Sequence, residues 1–398
     1  MKVVVNGMGI AGTALAYWLQ RAGHETLLVE RAPAPRTGGH VLNLWGVGYD
    51  AAERMGLLPR FAELQYTADE LRMVDRNGRT RGSYPSRVLL DLTRGRIATL
   101  ARADIANAIL GLLDDRVETR FGDSVAAIDD DGARVRVRFD HGPACDADLV
   151  VGADGLHSRV RRIAFGEDAR FERPMGCHVA AFEVPGYRPR DDRLYVAHSA
   201  PGRYIARFPV RGDRMLFFML CRDEYLAGSD HDGGDGDEAA RRSALVRAFS
   251  GMGWETPAIL SALADCDELY LDRVSQVRMD RWTCGRVALL GDAAACPSLI
   301  AGEGAGFALA EASVLAGELG ARPGDVAAAL AGYEARIKPF VDRKQRAAEK
   351  LVPSFLPRTA AGVRARDFAT LLMRLPVFPR LLMGRYLSDD MALPAYPS

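Results

Sequence analysis

Lys2-Val3-Val4-Val5-Asn6-Gly7-Met8-Gly9-Ile10-Ala11-Gly12 is the stretch whose reading decides the fold. Its β-branched run predicts a buried strand, and the glycines that follow predict a tight turn into a helix over 11–22. Residues 26–30 predict a second buried strand that ends at Glu30. Strand, helix and strand within about thirty residues make the right-handed unit of a parallel sheet. Gly7 permits the turn, Gly9 lets backbone approach a pyrophosphate, and Gly12 permits close helix–strand packing. Ile10 and Ala11 begin the helix, whose free N–H groups favour phosphate. Glu30, with Arg31 beside it, is placed to accept hydrogen bonds from ribose hydroxyls. A carboxylate there repels a 2′-phosphate, so the site suits FAD or NAD over NADP.

Working outward, the chain has 398 residues, 48% apolar and 26% charged, with 52 basic and 52 acidic side chains. These values fit a folded globular protein of one large or two ordinary domains. No basic excess exists to neutralise a nucleic-acid backbone. Six scattered cysteines without a CxxC pair argue against a disulfide framework or a zinc site. No apolar run is long enough to span a bilayer, so the default setting is cytoplasmic. Between about 173 and 275 short alternating stretches (178–184, 193–197, 203–208, 214–220) predict an antiparallel sheet. Residues 228–237 predict an acidic, glycine-rich surface loop. A strand at 287–290 and helices at 304–320 and 325–350 return to the buried pattern, and no internal repeat is visible.

Two further motifs carry chemistry. Asp148-Leu-Val-Val-Gly-Ala-Asp154-Gly155, followed by Ser158, is a strand ending in an acid. Gly285-Arg-Val-Ala-Leu-Leu-Gly291-Asp292 is another, followed by Pro297 and the turn Gly302-Glu303-Gly304-Ala305-Gly306. Ligands bind at the carboxyl edge of parallel strands, where an Asp can hold a polyol hydroxyl. Either Asp can equally be a turn or helix-capping residue. The turn at 302–306 opens a helix whose N–H groups can face the O2/N1 edge of a flavin.

In this order and spacing, the three motifs resemble the single-component (group A) flavoprotein monooxygenases, similar to para-hydroxybenzoate hydroxylase and the tetracycline-modifying monooxygenases. The resemblance covers most of residues 1–345. It implies an α/β fold with a three-layer Rossmann-type FAD-binding domain (1–78, 97–172 and 276–345). An inserted antiparallel β-sheet domain (79–96 and 173–275) covers the substrate, and a helical C-terminal segment (346–398) follows. It implies that Arg102 contacts FAD and that Val125 touches the adenine through its backbone. Asp154 serves FAD and the nicotinamide, and Asp292 holds the ribityl chain. The resemblance also implies that Gly39, His40 and Val41 lie beside the isoalloxazine. Two departures stand out. Ala295 replaces a common His, and Glu303 replaces a common Gln. A negative charge at 303 opposes an anionic reduced flavin unless an arginine or solvent compensates.

The reaction implied takes NADH or NADPH and O2, passes through a flavin C4a-hydroperoxide, and hydroxylates an aromatic or polycyclic small molecule, with a role in secondary-metabolite tailoring. Epoxidation and Baeyer–Villiger oxidation use the same fold. Reduction of isoprenoid double bonds and non-catalytic FAD or ligand binding are rival readings. On the inserted sheet, Tyr204, Arg207 and His178 are catalytic candidates, with His178 as a proton acceptor; Phe218 and Pro297 are substrate contacts. Tyr204 and Phe218 also read as core residues, Arg207 as a sheet-face ion pair and His178 as a satisfied core histidine. Cys296 reads as a small packing residue. The tail, 366–387, has an apolar face broken by Pro376 and Pro379. It reads as a helix closing the cavity or as a dimer or membrane contact. A monomer or homodimer is expected.

Overall fold

The computed structural model describes residues 1–35, 40–227, 238–350, 352–387, 389 and 391–396, the side chain at 385 excepted. The 228–237 loop and Gly39 lie outside the described residues.

The strand Lys2–Asn6 lies near the middle of a six-stranded sheet. In spatial order the strands are Thr283–Cys284, Val287–Leu289, Leu149–Gly152, Lys2–Asn6, Glu25–Glu30 and Val117–Phe121. All neighbours are parallel except the terminal Thr283–Cys284 pair. Val3, Val4 and Val5 are fully buried because parallel strands are covered on both faces, which is why their sequence does not alternate. Helix Ile10–Arg21 packs against helices Arg102–Leu110 and Gly304–Ala321. A three-stranded antiparallel sheet (Val125–Asp130, Val135–Phe139, Cys145–Ala147) adds a further layer.

The second sheet has seven strands, in the order Leu269–Val277, Glu172–Pro185, Arg214–Arg222, Arg203–Val210, Leu194–Ala200, Glu70–Val74 and Thr80–Pro85. It departs from the sequence reading in two ways. Glu70–Val74 falls inside the 1–78 stretch assigned to the FAD-binding domain, yet it pairs in this sheet. It also pairs in parallel with Leu194–Ala200, so the sheet is mixed. The alternation of 71–74 is too short to separate the two domains from sequence. One face of this sheet is covered by helices Glu238–Phe249 and Thr256–Ala264 through Phe182, Phe217 and Phe249. The other face carries Tyr204, Ala206, Phe208 and Phe218.

Helix Gly304–Ala321 is apolar almost all round because it is buried among other elements. Its alanines and glycines allow close approach: a Cβ on Gly48 would lie 2.3 Å from Gly306 Cα. In the tail, Pro376 separates helix Ala360–Leu372 from helix Phe378–Leu387. Pro379 opens the second helix rather than breaking it, since a first-turn residue needs no N–H. The first helix packs on Thr80–Pro85, and the second packs on Arg87–Leu92. Among the described residues no helix is long and apolar enough to cross a membrane.

Candidate active site

The strand that ends at Asn6 delivers the first glycine turn to the carboxyl edge of the parallel sheet. Gly7 has φ +110°, and a Cβ there would lie 2.4 Å from the Ala153 carbonyl oxygen. Gly12 packs its Cα against the Gly7 carbonyl, which a Cβ would meet at 1.9 Å. Gly9 differs: a Cβ there would meet nothing within 4 Å. It stands at the start of helix Ile10–Arg21 with no side-chain cap, which leaves helix N–H groups facing open space. Ile10, Ala11, Glu30 and Arg31 line that space. The Glu30 carboxylate accepts from Met8 N (2.9 Å) and Ala32 N (3.0 Å), so it also splints the turn to the strand end.

Asp154 stands at the edge of the same space but is heavily engaged. It accepts from Ser158 Oγ at 2.5 Å, Arg159 N at 2.8 Å, Val160 N at 3.2 Å and Asn6 Nδ2 at 3.0 Å. That is the turn-and-cap role of its two sequence readings. Asn6 was missed by sequence reasoning. It joins Asp154 on one side and accepts from Val125 N (3.0 Å) on the other. Its only signal is a polar residue closing an apolar strand. Val125 is fully buried with its N–H bound there, so Ser124, not Val125, forms this part of the wall.

Asp292 lines the space beside Gly304, where a Cβ would lie 3.2 Å from Asp292 Oδ1. Gly302, Gly304 and Ala305 line it too, at the N-terminus of helix Gly304–Ala321. Gly306 does not: it serves the crossing with Gly48. Gly291, at φ +62°, donates its N–H to Glu311 Oε2 at 2.6 Å. Burial pushes the Glu311 carboxyl up to about 8. Pro297 is buried, with its carbonyl accepting from Gln276 Nε2 (3.0 Å) and its ring against Gly304. Cys296 and Ser298 form the wall instead. Ser298 holds φ +90°, a strained backbone for a residue with a Cβ. Burial pushes the Cys296 thiol well up, which keeps it protonated and inert.

Arg102 N donates to the His40 carbonyl (3.1 Å), and both residues line the space together with Val41. Burial, helped by the Arg102 guanidinium, lowers His40 to about 4, so it is neutral at physiological pH.

Glu303 is the departure that the fold resolves. Its side chain turns away from the space, is almost fully buried, and receives Lys344 Nζ at 2.8 Å. Lys344 also reaches Asp389 Oδ1 (2.7 Å) and the Tyr386 carbonyl (3.1 Å). The compensating cation is therefore a lysine, one of only four in the chain. Burial still holds the Glu303 carboxyl up at about 7, against the pull of Lys344.

Gly7, Gly9, Glu30, Arg102, Asp154, Asp292 and Gly304 all border one cavity of about 1990 Å³, which continues to the inserted sheet. Ordinary small-molecule sites occupy about 300–1,000 Å³, so this one has room for a dinucleotide and a further ligand. At the sheet end stand Tyr84, Tyr195, Tyr204, Phe208 and Phe218. The hydroxyls of Tyr195 and Tyr204 are 3.0 Å apart, and burial pushes both phenols up, so both stay protonated.

The other two candidates on the sheet point elsewhere. His178 lies on the face opposite Val179, which lines the cavity, and its Nδ1 sits 3.1 Å from Asp223 Oδ1. Strand alternation carries it away from the cavity, which corrects the proton-acceptor reading. Arg207 edges the cavity, but its guanidinium is 2% exposed and bonded to Asp191 and to Glu255 (2.9 Å), under Trp254. It is a sheet-face ion pair.

Residues 1–348 match the FAD binding domain family. An uncharacterized protein of Mycobacterium tuberculosis is 37% identical over 368 residues, covering 89% of this chain and 94% of its own. A flavin-dependent monooxygenase from an unknown prokaryotic organism is 30% identical over 356 residues, covering 89% of this chain and 90% of its own. Among solved structures, tetracycline destructase Tet(51) superposes with a TM-score of 0.81 at 30% identity, covering 99% of both chains. With the FAD-binding motifs gathered on one cavity, these likenesses settle the family: the chain belongs to the group A FAD-dependent monooxygenases.

Proposed function

We propose that this protein uses NADH or NADPH and O2 to place one oxygen atom on an aromatic or polycyclic small molecule, releasing the other as water. The observation that carries the reading is the single cavity, bordered by all three dinucleotide motifs at one end and by tyrosine and phenylalanine at the other. FAD, when bound, supplies the route for electrons from the nicotinamide to O2.

The chain's own residues hold and shield. The open face of Gly9 and the helix N-terminus take the pyrophosphate, and Glu30 takes the ribose. Asp292 takes a polyol hydroxyl. The N–H groups at Gly304 and Ala305 would offer partial positive charge to a bound flavin. Neutral His40 and the Arg102 guanidinium would also border the bound cofactor. The Tyr195–Tyr204 pair donates to a phenol or carbonyl oxygen of the substrate, and Phe218 stacks on its ring. Apolar walls exclude water, which protects the oxygen-transfer step. The bulk of the sheet end supports a tailoring role on secondary metabolites, with hydroxylation as the chemistry. The six unpaired cysteines fit a reducing cytoplasm.

The test is a visible spectrum of the purified protein, followed by NADH and NADPH oxidation in air with phenolic and polycyclic compounds, tetracyclines among them. A yellow protein whose oxidation of the nicotinamide is accelerated by one compound class, with an oxygenated product, supports the reading. A yellow protein that no compound stimulates favours the reductase or binding alternatives.

A further inference from the structure

The C-terminal helices combine two features that a soluble surface seldom shows together. The first is exposed apolar bulk along two consecutive helices and the turn between them. Phe368 is 60% exposed, Val377 73% and Leu381 75%, and Leu371, Leu375 and Leu382 are exposed with them. Contiguous apolar surface of this kind marks an interaction site. The second feature is charge. In a chain with equal numbers of acids and bases, residues 356–387 carry six arginines and one acid, Asp367. Asp367 is already bonded to Arg366, and Arg374 is bonded to Glu70. Arg364 and Arg380 stay exposed, with no carboxylate in ion-pair distance among the described residues.

The patch also meets the cavity. Leu382, Met383 and Tyr386 of helix Phe378–Leu387 line it, as does exposed Leu90 of the adjoining helix Arg87–Leu92. That helix contributes one acid, Asp91, beside exposed Arg87. Val377 and Leu381 lie outside the cavity wall.

We propose that this surface docks on an anionic lipid bilayer, with Phe368, Leu371, Leu375, Val377 and Leu381 entering the interface and Arg364 and Arg380 meeting the headgroups. Apolar side chains flanked by arginine form the pattern of a helix lying in the plane of a membrane interface, which needs no spanning segment. Charge decides between a bilayer and a second copy. A two-fold interface sets the same patch against itself and brings like charges together, whereas an anionic surface attracts them. Where the monooxygenase reading holds, the cavity mouth then opens at the lipid surface and suits a lipophilic substrate; the docking itself does not depend on that reading.

The test is co-sedimentation of the purified full chain with vesicles, read by protein stain so that flavin content does not enter. Vesicles of phosphatidylcholine mixed with phosphatidylglycerol are compared with phosphatidylcholine alone. The mixed vesicles should carry the protein down and release it at high salt. Val377→Asp with Leu381→Asp should abolish sedimentation at an unchanged melting temperature. Arg364→Gln and Arg380→Gln should each weaken it about fivefold. A protein that stays in the supernatant overturns the proposal, as does sedimentation indifferent to phosphatidylglycerol and to these variants. If the Asp variant instead converts a dimer to a monomer and the wild type ignores vesicles, the patch belongs to a second copy and the proposal fails.

Discussion

Lys344 Nζ lies between two buried carboxylates, 2.8 Å from Glu303 and 2.7 Å from Asp389. One cation thus fastens the turn that opens the flavin-side helix to the C-terminal tail. Asp389 Oδ2 also accepts from Val47 N (2.7 Å), which draws a third segment into the same knot. Removing one partner of a buried ion group strands the others. Lys344→Met should cost about 3–5 kcal/mol in denaturant unfolding and weaken FAD binding in a fluorescence titration. Adding Glu303→Gln should recover part of both losses. Equal losses in the single and double variants would show that Glu303 needs no compensation.

The glycines of the first turn should separate by role. Gly12→Ala drives a Cβ into the Gly7 carbonyl and should yield a destabilised protein. Gly9→Ala has room in the empty turn and should fold with an unchanged melting temperature, yet bind FAD at least about tenfold more weakly because the methyl meets the pyrophosphate. Melting curves and FAD titration distinguish the two.

Glu311 offers a pH test. Its folded carboxyl sits at about 8, above the ordinary 4.5 of an exposed glutamate. Its protonated form therefore stabilises the fold fully below about 4.5, and that stability is lost as pH rises through about 8. Glu311→Gln keeps an acceptor for Gly291 N–H and removes the titration. The variant should lose less melting temperature than the wild type between pH 6 and pH 9.

The candidates on the inserted sheet should divide by face. Tyr204→Phe removes a hydroxyl from the cavity and should raise KM about threefold to tenfold, the loss of one hydrogen bond. His178→Asn should leave kcat and KM unchanged. Arg207→Met strands Asp191 and Glu255 and should lower the melting temperature more than it changes turnover. A fall in kcat for His178→Asn at unchanged stability would return it to the catalytic residues.

The parallel sheet was legible because burial on both faces leaves unbroken apolar runs, as in Val3–Val5 and Val287–Leu289. Gly7, Gly9 and Gly12 were legible because turn, approach and packing demand glycine at those spacings. Less visible was whatever depends on distant partners. Nothing near Glu303 announces Lys344, forty-one residues on. Asn6 shows its importance only once Asp154 and Val125 are folded beside it. His178 and Tyr204 both sit in alternating strands, but alternation does not say which face meets the cavity. Glu70–Val74 was placed in the wrong layer because its partner strand comes 124 residues later.

The order of the six-stranded sheet has a consequence for synthesis on the ribosome. Lys2–Asn6 emerges with Glu25–Glu30 close behind, but its other neighbour is not made until residue 149, and the next strand not until 287. At cellular elongation rates that last interval is roughly 15–60 s after the first strand appears. The Lys2–Asn6 edge is unpaired until residue 149 is made, and the Leu149–Gly152 edge from then until 287, and such edges recruit other strands. The nascent chain is therefore a client for chaperones until its final third is translated. Of the three dinucleotide motifs, Asp292 and the 302–306 turn arrive last, so flavin supply can rescue the yield of finished chains but cannot guide the folding of unfinished ones.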